Sequence, residues 1–279
     1  MANESTYSGI ATLVGNIYSL ALQTATEGNV IAPLVTNWGD KMDSQPRVWS
    51  TYSGGTFATV GEGDDMSAQA FTATVAGTAT PATYGQMAFL TDRRIRTDAM
   101  NAQVDAGVFL GNTAAVHSDA NLAGLFTSLT AGDVGSAGGT ITWANVFKAS
   151  ANLRANKVPG PYFCVLAPGQ WYHLTAVSSG VPSLIQNEAF SNSVIAPFYN
   201  GSYAGINFFV DANITAGTAA IGGMFGKQAM FIDPRQPFGI EYQRDASRGG
   251  GGWELNATME YAYGLFRPTF GAKMIGTTV

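Results

Sequence analysis

The sequence predicts an α+β protein built to interlock with copies of itself, and three observations carry that expectation. Two β-prone runs, 47–60 and 70–90, flank the turn Gly61-Glu62-Gly63-Asp64-Asp65. A helix–strand–helix pattern follows at 143–177, and strand-like runs recur from 206 to 275. Charged residues make up 12% of the chain, about half the ~25% usual for soluble domains. A hairpin this long has little of its own to bury, and an isolated two-stranded ribbon is marginal in water. It therefore needs a partner surface. Sparse charge agrees, because long charged side chains lose entropy when pinned and are depleted from buried interface cores.

Taken in order, residues 1–44 read as an arm. Ile10, Leu13, Val14, Ile17, Leu20 and Ala21 recur at helical spacing, so one amphipathic helix is expected before Gly28 and Pro33. In the hairpin, Phe57 and Val60 mark the outgoing strand, while Phe71, Ala73 and Val75 alternate with Thr72 and Thr74 on the return. From 48 to 91 there is no Lys or Arg, and just three acids, all in the turn. Thr91-Asp92 is an N-cap, since a short side-chain oxygen satisfies free amides at a helix start. The spacing predicts a helix over 93–110, with apolar residues on two faces, stopping at Gly111-Asn112.

Residues 131–139 are Gly-rich and read as a linker. Thr142 caps a second helix over 143–156, with Val146, Ala149 or Ser150, and Leu153 inward. A buried strand over 163–167 then meets Pro168, which opens a helix to about 177. Residues 178–203 look irregular, and 206–210 is a strand. The remaining strands are expected at 219–224, 229–232, 239–244, 254–263 and 272–275, with 248–252 as a loop joining two of them.

Net charge is −5 with a pI near 4.9, which excludes a basic nucleic-acid footprint. The single cysteine, Cys164, forbids an intrachain disulfide framework and sits in an apolar run as a buried inert thiol. No leader with a basic start is read at 1–6, and no apolar run reaches the ~18–20 residues of a membrane helix. His117 and His173 have no companions at ligand spacing, so no metal site is expected. Gly222-Gly223-Met224-Phe225-Gly226-Lys227-Gln228 misses a phosphate loop at Ile221 and Gln228. There is no Gly-x-Ser-x-Gly elbow, and no nucleophile–base pair stands out. The chain reads as non-enzymatic and without cofactor.

Arg93, Arg94 and Arg96 are the only basic cluster between Arg47 and Lys148. Two readings stand: a solvated helix start, which the helix dipole slightly disfavours, or a counter-charge for the turn acids Glu62, Asp64 and Asp65 of a neighbour.

The order of elements resembles the major capsid protein of tailed bacteriophages, the Hong Kong 97-type capsid fold, over nearly the whole chain. Local phrases carry the likeness. Val108-Phe109-Leu110-Gly111-Asn112 and Asn121-Leu122-Ala123-Gly124-Leu125-Phe126 resemble the exit of the family's spine helix. Val165-Leu166-Ala167-Pro168, followed by Leu174, is similar to a strand–Pro–helix passage of the axial subdomain. Phe225-Gly226-Lys227-Gln228-Ala229-Met230-Phe231 and Tyr263-Gly264-Leu265-Phe266-Arg267-Pro268 resemble late strands of that family. The resemblance implies an arm at 1–44, an extended hairpin loop at 45–90, and a spine helix with the start of a peripheral domain at 91–134. It further implies an axial domain at 135–215 and return strands at 216–279.

It also implies hexamers and pentamers closing an icosahedral shell around double-stranded DNA, assembled in a host cytoplasm, with possible separate scaffolding, portal and decoration proteins. The expected subunit-interface residues are Arg47, Trp49, Phe57, Val60, Glu62, Asp64, Asp65, Phe71, Val75, Tyr84, Arg93, Arg94 and Arg96, with Val48 and Phe89 beside them. Some members cross-link a hairpin Lys to a distant Asn; residues 45–90 contain no Lys, so a non-covalent shell is expected. The alternatives are an encapsulin-like compartment holding cargo enzyme, a secreted β-rich binding protein, and a hydrolase.

Overall fold

Two sheets share one long helix, and a ribbon projects from their junction. The computed structural model describes residues 29–40, 43, 45–52, 57, 59–66, 73–97, 102–175, 199–247 and 250–279. The helix expected around residues 10–21 lies outside these.

One sheet has six strands in the order β5 (Asp133–Gly135), β12 (Gly271–Gly276), β9 (Ala220–Gly226), β6 (Tyr162–Leu166), β8 (Ile206–Val210) and β7 (Tyr199–Tyr203). Its central strand β6 pairs parallel with β8 and antiparallel with β9. Helices α3 (Trp143–Ala155) and α4 (Pro168–Thr175) cover one face. There Val146, Ala149, Leu153 and Leu174 pack on Cys164, Leu166, Phe208, Met224 and Met274. On the other face Val165 and Phe225 meet Leu122, Phe126 and Leu129. Cover on both faces explains why β6 reads as an unbroken apolar run. Thr142 caps α3 as expected, its Oγ1 accepting from the Asn145 N–H at 3.4 Å.

The second sheet has four strands, in the order β1 (Thr36–Asn37), β10 (Met230–Asp245), β11 (Gly252–Leu265) and β4 (Ala82–Thr91). The strands expected at 229–232 and 239–244 are one, bent by register shifts between Pro234 and Gly239. Pro234 and Pro237 lack amide donors, so the ladder slips there without ending.

Helix α1 (Asp92–Thr97) starts where β4 stops, and Thr91 Oγ1 accepts from the Arg94 N–H at 3.2 Å. Helix α2 runs over Ala102–Gly124, straight through the expected stop at Gly111-Asn112. A glycine inside a helix costs about 1 kcal/mol. That is outweighed because Ala106 and Leu110 before it pack on Leu90, Leu255 and Ala257, and Leu122 and Ala123 beyond it pack in the other core. One rigid rod thus ties both sheets together. Three strands arise where none was expected: β1 in the arm, β5 in the Gly-rich stretch, and β7 at the end of the irregular one. Each is an edge strand: β1 and β5 are recruited by the distant β10 and β12, and β7 folds back on the adjacent β8.

A buried acidic pair fixes where the chain enters this frame. Asp119 on α2 accepts from the Ile31 N–H at 2.8 Å, the Val30 N–H at 3.3 Å and Asn213 Nδ2 at 3.2 Å. Asp211, just past β8, accepts from the Asn213 N–H at 2.8 Å, while its second oxygen has no partner of its own. Burial, then the Asp119 charge, pushes the Asp211 carboxyl up to about 7, and burial also raises Asp119. Asp211 is therefore the carboxyl whose ionisation is deferred toward neutral pH, opposed by burial and by the Asp119 charge.

From about pH 4 to pH 7 the folded chain keeps a proton that the unfolded chain has released, so stability falls as pH rises through that window and levels off above it. Asp211→Asn removes this dependence. In urea unfolding at a series of pH values, parent and variant should match near pH 4. The variant should gain on the order of 3 kcal/mol by pH 7; parallel profiles would refute the deferred ionisation.

Candidate functional site

The ribbon pairs β2 (Arg47–Tyr52) with β3 (Ala73–Ala79), from Arg47↔Ala79 out to Tyr52↔Ala73. The expected return run of 70–90 is broken at Thr80-Pro81. Pro81 has no amide to give, so pairing with β2 ends there and the chain resumes as β4 against β11. Beyond its root the ribbon is bare: Val48, Tyr52 and Val75 are 56%, 58% and 64% exposed. Further out, Phe57 is fully exposed and Val60 half-exposed. The tip turn closes as expected, the Asp64 N–H donating to Gly61 C=O at 3.1 Å. Gly63 takes φ +92, a conformation that glycine adopts without strain. Glu62, Asp64 and Asp65 all face solvent. Phe71 lies outside the described residues.

The root is the opposite of the tip. Asp233 on β10 is fully buried between two guanidinium groups, at 2.9 Å from Arg47 Nε and 2.7 Å from Arg235 Nη2. Arg47 also pairs with Asp40 and donates to Trp38 C=O at 3.2 Å, with its guanidinium 5.2 Å from the Trp38 ring. Arg235 is itself 2% exposed and bonds both Asp43 Oδ1 and Asp43 C=O at 2.9 Å. Around this network Trp38 stacks on Phe231 at 4.1 Å, and Trp49 meets both rings edge-on at 5.5 and 5.2 Å. Gly77 faces Trp49 across the ribbon, where any Cβ would collide with the indole. Arg47 and Trp49 were expected at a subunit interface. Within their own chain both are engaged at the root, because β2 begins beside β10 and its first residues pack on the core.

Tyr84, also expected at an interface, has partners within its own chain as well. Its ring lies 4.5 Å from His117 and 4.8 Å from Tyr261, beneath α2. His117 Nδ1 lies 3.0 Å from the Tyr261 hydroxyl, which also accepts from Asn121 Nδ2 at 2.9 Å. Register places Tyr84 opposite Met259 on β11, so it serves the seam between sheet and helix.

Arg93, Arg94 and Arg96 lie exposed on α1, and Arg93 and Arg94 form no ion pair among the described residues. Neighbouring Asp92 is taken by Arg244 in a two-pronged pair at 2.6 Å per contact, which holds its carboxyl below the usual range. The positive side chains of α1 are therefore left facing outward. Sequence reasoning missed the Asp233 network, although one signal was present: two charges in the otherwise apolar run Phe231-Ile232-Asp233-Pro234-Arg235 of a charge-poor chain. Cys164 is buried, with Sγ 3.7 Å from Met274 Sδ, and burial drives its thiol far above the ordinary value. Among the described residues no three His, Cys, Asp or Glu side chains gather as a metal site, and no helix is long and apolar enough to cross a membrane.

A family model described as "Phage capsid protein" matches residues 74–274. None of the curated proteins matches. Among solved structures, one from Mycobacterium phage Che8 superposes with a TM-score of 0.70 at 16% identity, covering 88% of this chain and 90% of that one. The capsid of Ralstonia phage GP4 gives 0.70 at 11% identity, covering 88% and 87%. The virus-like particle from Pyrococcus furiosus gives 0.60 at 10% identity, covering 94% and 98%. At such identities these likenesses speak to the fold.

Removing one member of a buried ion network leaves the others uncompensated, at about 3–5 kcal/mol. Asp233→Ala should lower the unfolding free energy of the subunit by that amount in urea titration, and should speed amide exchange along β2. A change under about 1 kcal/mol would mean that the root is held by the aromatic cluster alone.

Proposed function

This chain belongs to the phage capsid protein family, and on that premise we propose that its ribbon lies over a neighbouring subunit and helps hold hexamers and pentamers in an icosahedral shell around double-stranded DNA. The chain is a major capsid protein with the Hong Kong 97-type fold; it self-assembles into the shell, and its place is the virion capsid. The family is structural, and we read this member as non-catalytic.

The observation that carries the proposal is the contrast along one ribbon. Its root is locked by a buried ion network, while Phe57, Val60 and Val75 beyond it are half to fully exposed. A two-stranded ribbon in that condition gains stability when a second surface removes those groups from water. Contacts of about 1,000 Å² per neighbour are the scale at which association becomes specific. Val48 and Tyr52 extend the same apolar edge. We assign 45–90 to the extended loop, 91–134 to the spine helix and start of the peripheral domain, 135–215 to the axial domain, and 216–279 to the return strands. Residues 45–90 contain no Lys, so many weak contacts replace a covalent link. Scaffolding, portal and decoration proteins would act as separate chains. An encapsulin-like compartment is the weaker reading, because the matching model is that of phage capsids.

Deleting residues 54–80 should leave soluble subunits that form no closed particles in negative-stain electron microscopy, where the parent chain forms them. Normal particles from the deletion variant would defeat the proposal.

The acids at the tip and the arginines of α1 are proposed to meet across the subunit boundary. Each exposed pair is worth ~0.2–1 kcal/mol, so the effect is in the sum and weakens with salt. Glu62→Lys, Asp64→Lys and Asp65→Lys together should raise the protein concentration needed for assembly. Adding Arg93→Glu, Arg94→Glu and Arg96→Glu should restore it, as read by light scattering at low salt. Without that restoration the arginines serve another purpose.

A further inference from the structure

A cavity of about 140 Å³ lies where α2 crosses the four-stranded sheet, walled by the helix and by β4, β10 and β11. Protein interiors are close-packed, and voids larger than a water molecule are few in any domain. This one has a cause in the sequence. On one side of it Leu110 packs on Leu90 and Leu255, and on the other the rings of His117 and Tyr84 meet at 4.5 Å. Between those two contacts the wall is formed by Ala114 on α2 and Ala257 on β11, whose methyl groups are too short to fill the gap. The cavity is half open, so a small molecule can enter without unfolding the seam.

Its walls select for three properties. No Asp, Glu, Lys or Arg lines it, so a charged molecule would lose its hydration there without gaining a counter-charge. Tyr84, His117 and Phe238 bring three rings to the lining, and a flat aromatic group packs on such rings offset or edge-on. The volume suits a single ring, since an apolar cavity of about 150 Å³ takes benzene.

One polar group remains for orientation. His117 Nδ1 lies 3.0 Å from the Tyr261 hydroxyl, which accepts from Asn121 Nδ2 at 2.9 Å. The hydroxyl's own hydrogen is then the one directed at Nδ1, which puts the hydrogen of the neutral imidazole on Nε2. Among the described residues the contacts of the ring nitrogens are all made by Nδ1. Nε2 is left as a donor for a ligand.

We propose that this cavity binds a small, uncharged aromatic molecule of the phenol class, its ring between Ala114 and Ala257 and its oxygen accepting from His117 Nε2. Such a ligand touches α2 and the sheet at once, so its binding strengthens the seam on which the rod rests.

The test is saturation-transfer NMR with phenol on the full chain. Saturable binding with a dissociation constant of ~0.1–1 mM is expected for a ligand of this size. Benzene should bind about fivefold more weakly, the worth of one hydrogen bond. Ala114→Leu and Ala257→Leu each occupy the space, and each should weaken phenol by about tenfold or more, with circular dichroism showing that the variant is folded. His117→Phe keeps a ring in the wall and should remove the preference for phenol while benzene still binds; this variant decides the matter if the filling variants do not fold. In the parent chain the thermal midpoint should also rise with phenol concentration. No saturable binding to the parent would overturn the proposal. So would phenol binding that is unchanged in a folded filling variant, or a phenol preference that survives His117→Phe.

Discussion

Asp233, buried between Arg47 and Arg235, is the constraint on which the rest of the architecture turns. A carboxylate taken out of water is costly unless its counter-charges are close and well bonded, and here two guanidinium groups meet it within 3 Å. Arg47 opens β2, so its attachment to β10 decides where the ribbon leaves the body. Trp38, Trp49 and Phe231 close around the same point. The ribbon is thereby fixed at one end and unsupported at the other. A free strand pair would be of little use for holding a neighbour if its root could swing. Anchoring it in the core would lower the entropy lost on the proposed capture of its outer part by a neighbour.

The body behind this root is organised to keep that point still. α2 spans both sheets, its first half against β4 and β11 and its second half against the six-stranded sheet. The low fraction of charged residues fits a shell-forming subunit, since charged residues are depleted at the cores of interfaces. The acidic pair Asp119 and Asp211 adds a titratable joint where the N-terminal segment meets α2. With Asp211 protonated the joint is neutral enough to bury; without that proton two like charges face each other in a low dielectric.

Elements whose causes are local were readable in advance. The capped helix α3, the strand–Pro–helix passage through β6 and α4, the strand β8, the hairpin tip with Gly63, and the general course of β11 and β12 all follow from spacing, caps and turn residues. The same holds for the exposed part of the candidate site: Phe57, Val60 and Val75 are bare apolar groups on a ribbon, and the acids sit at its tip. What could not be read were features decided by a partner far along the chain. Gly111-Asn112 is a good helix stop in isolation, yet two cores separated by that point keep α2 going. β1, β5 and β7 contain no strong strand signal and exist because another strand offers them an edge.

By itself, then, the order of residues determined the α+β class, the exposed apolar ribbon with its acidic tip, and the family likeness, because period, turn chemistry and composition act over short stretches. Tertiary structure alone decided which groups of their own chain Arg47, Trp49 and Tyr84 touch. It also brought Asp233 to Arg47, and Asp119 to Asp211. Those outcomes depend on which distant segments come together, and burial and charge acquire their energies only once that geometry exists.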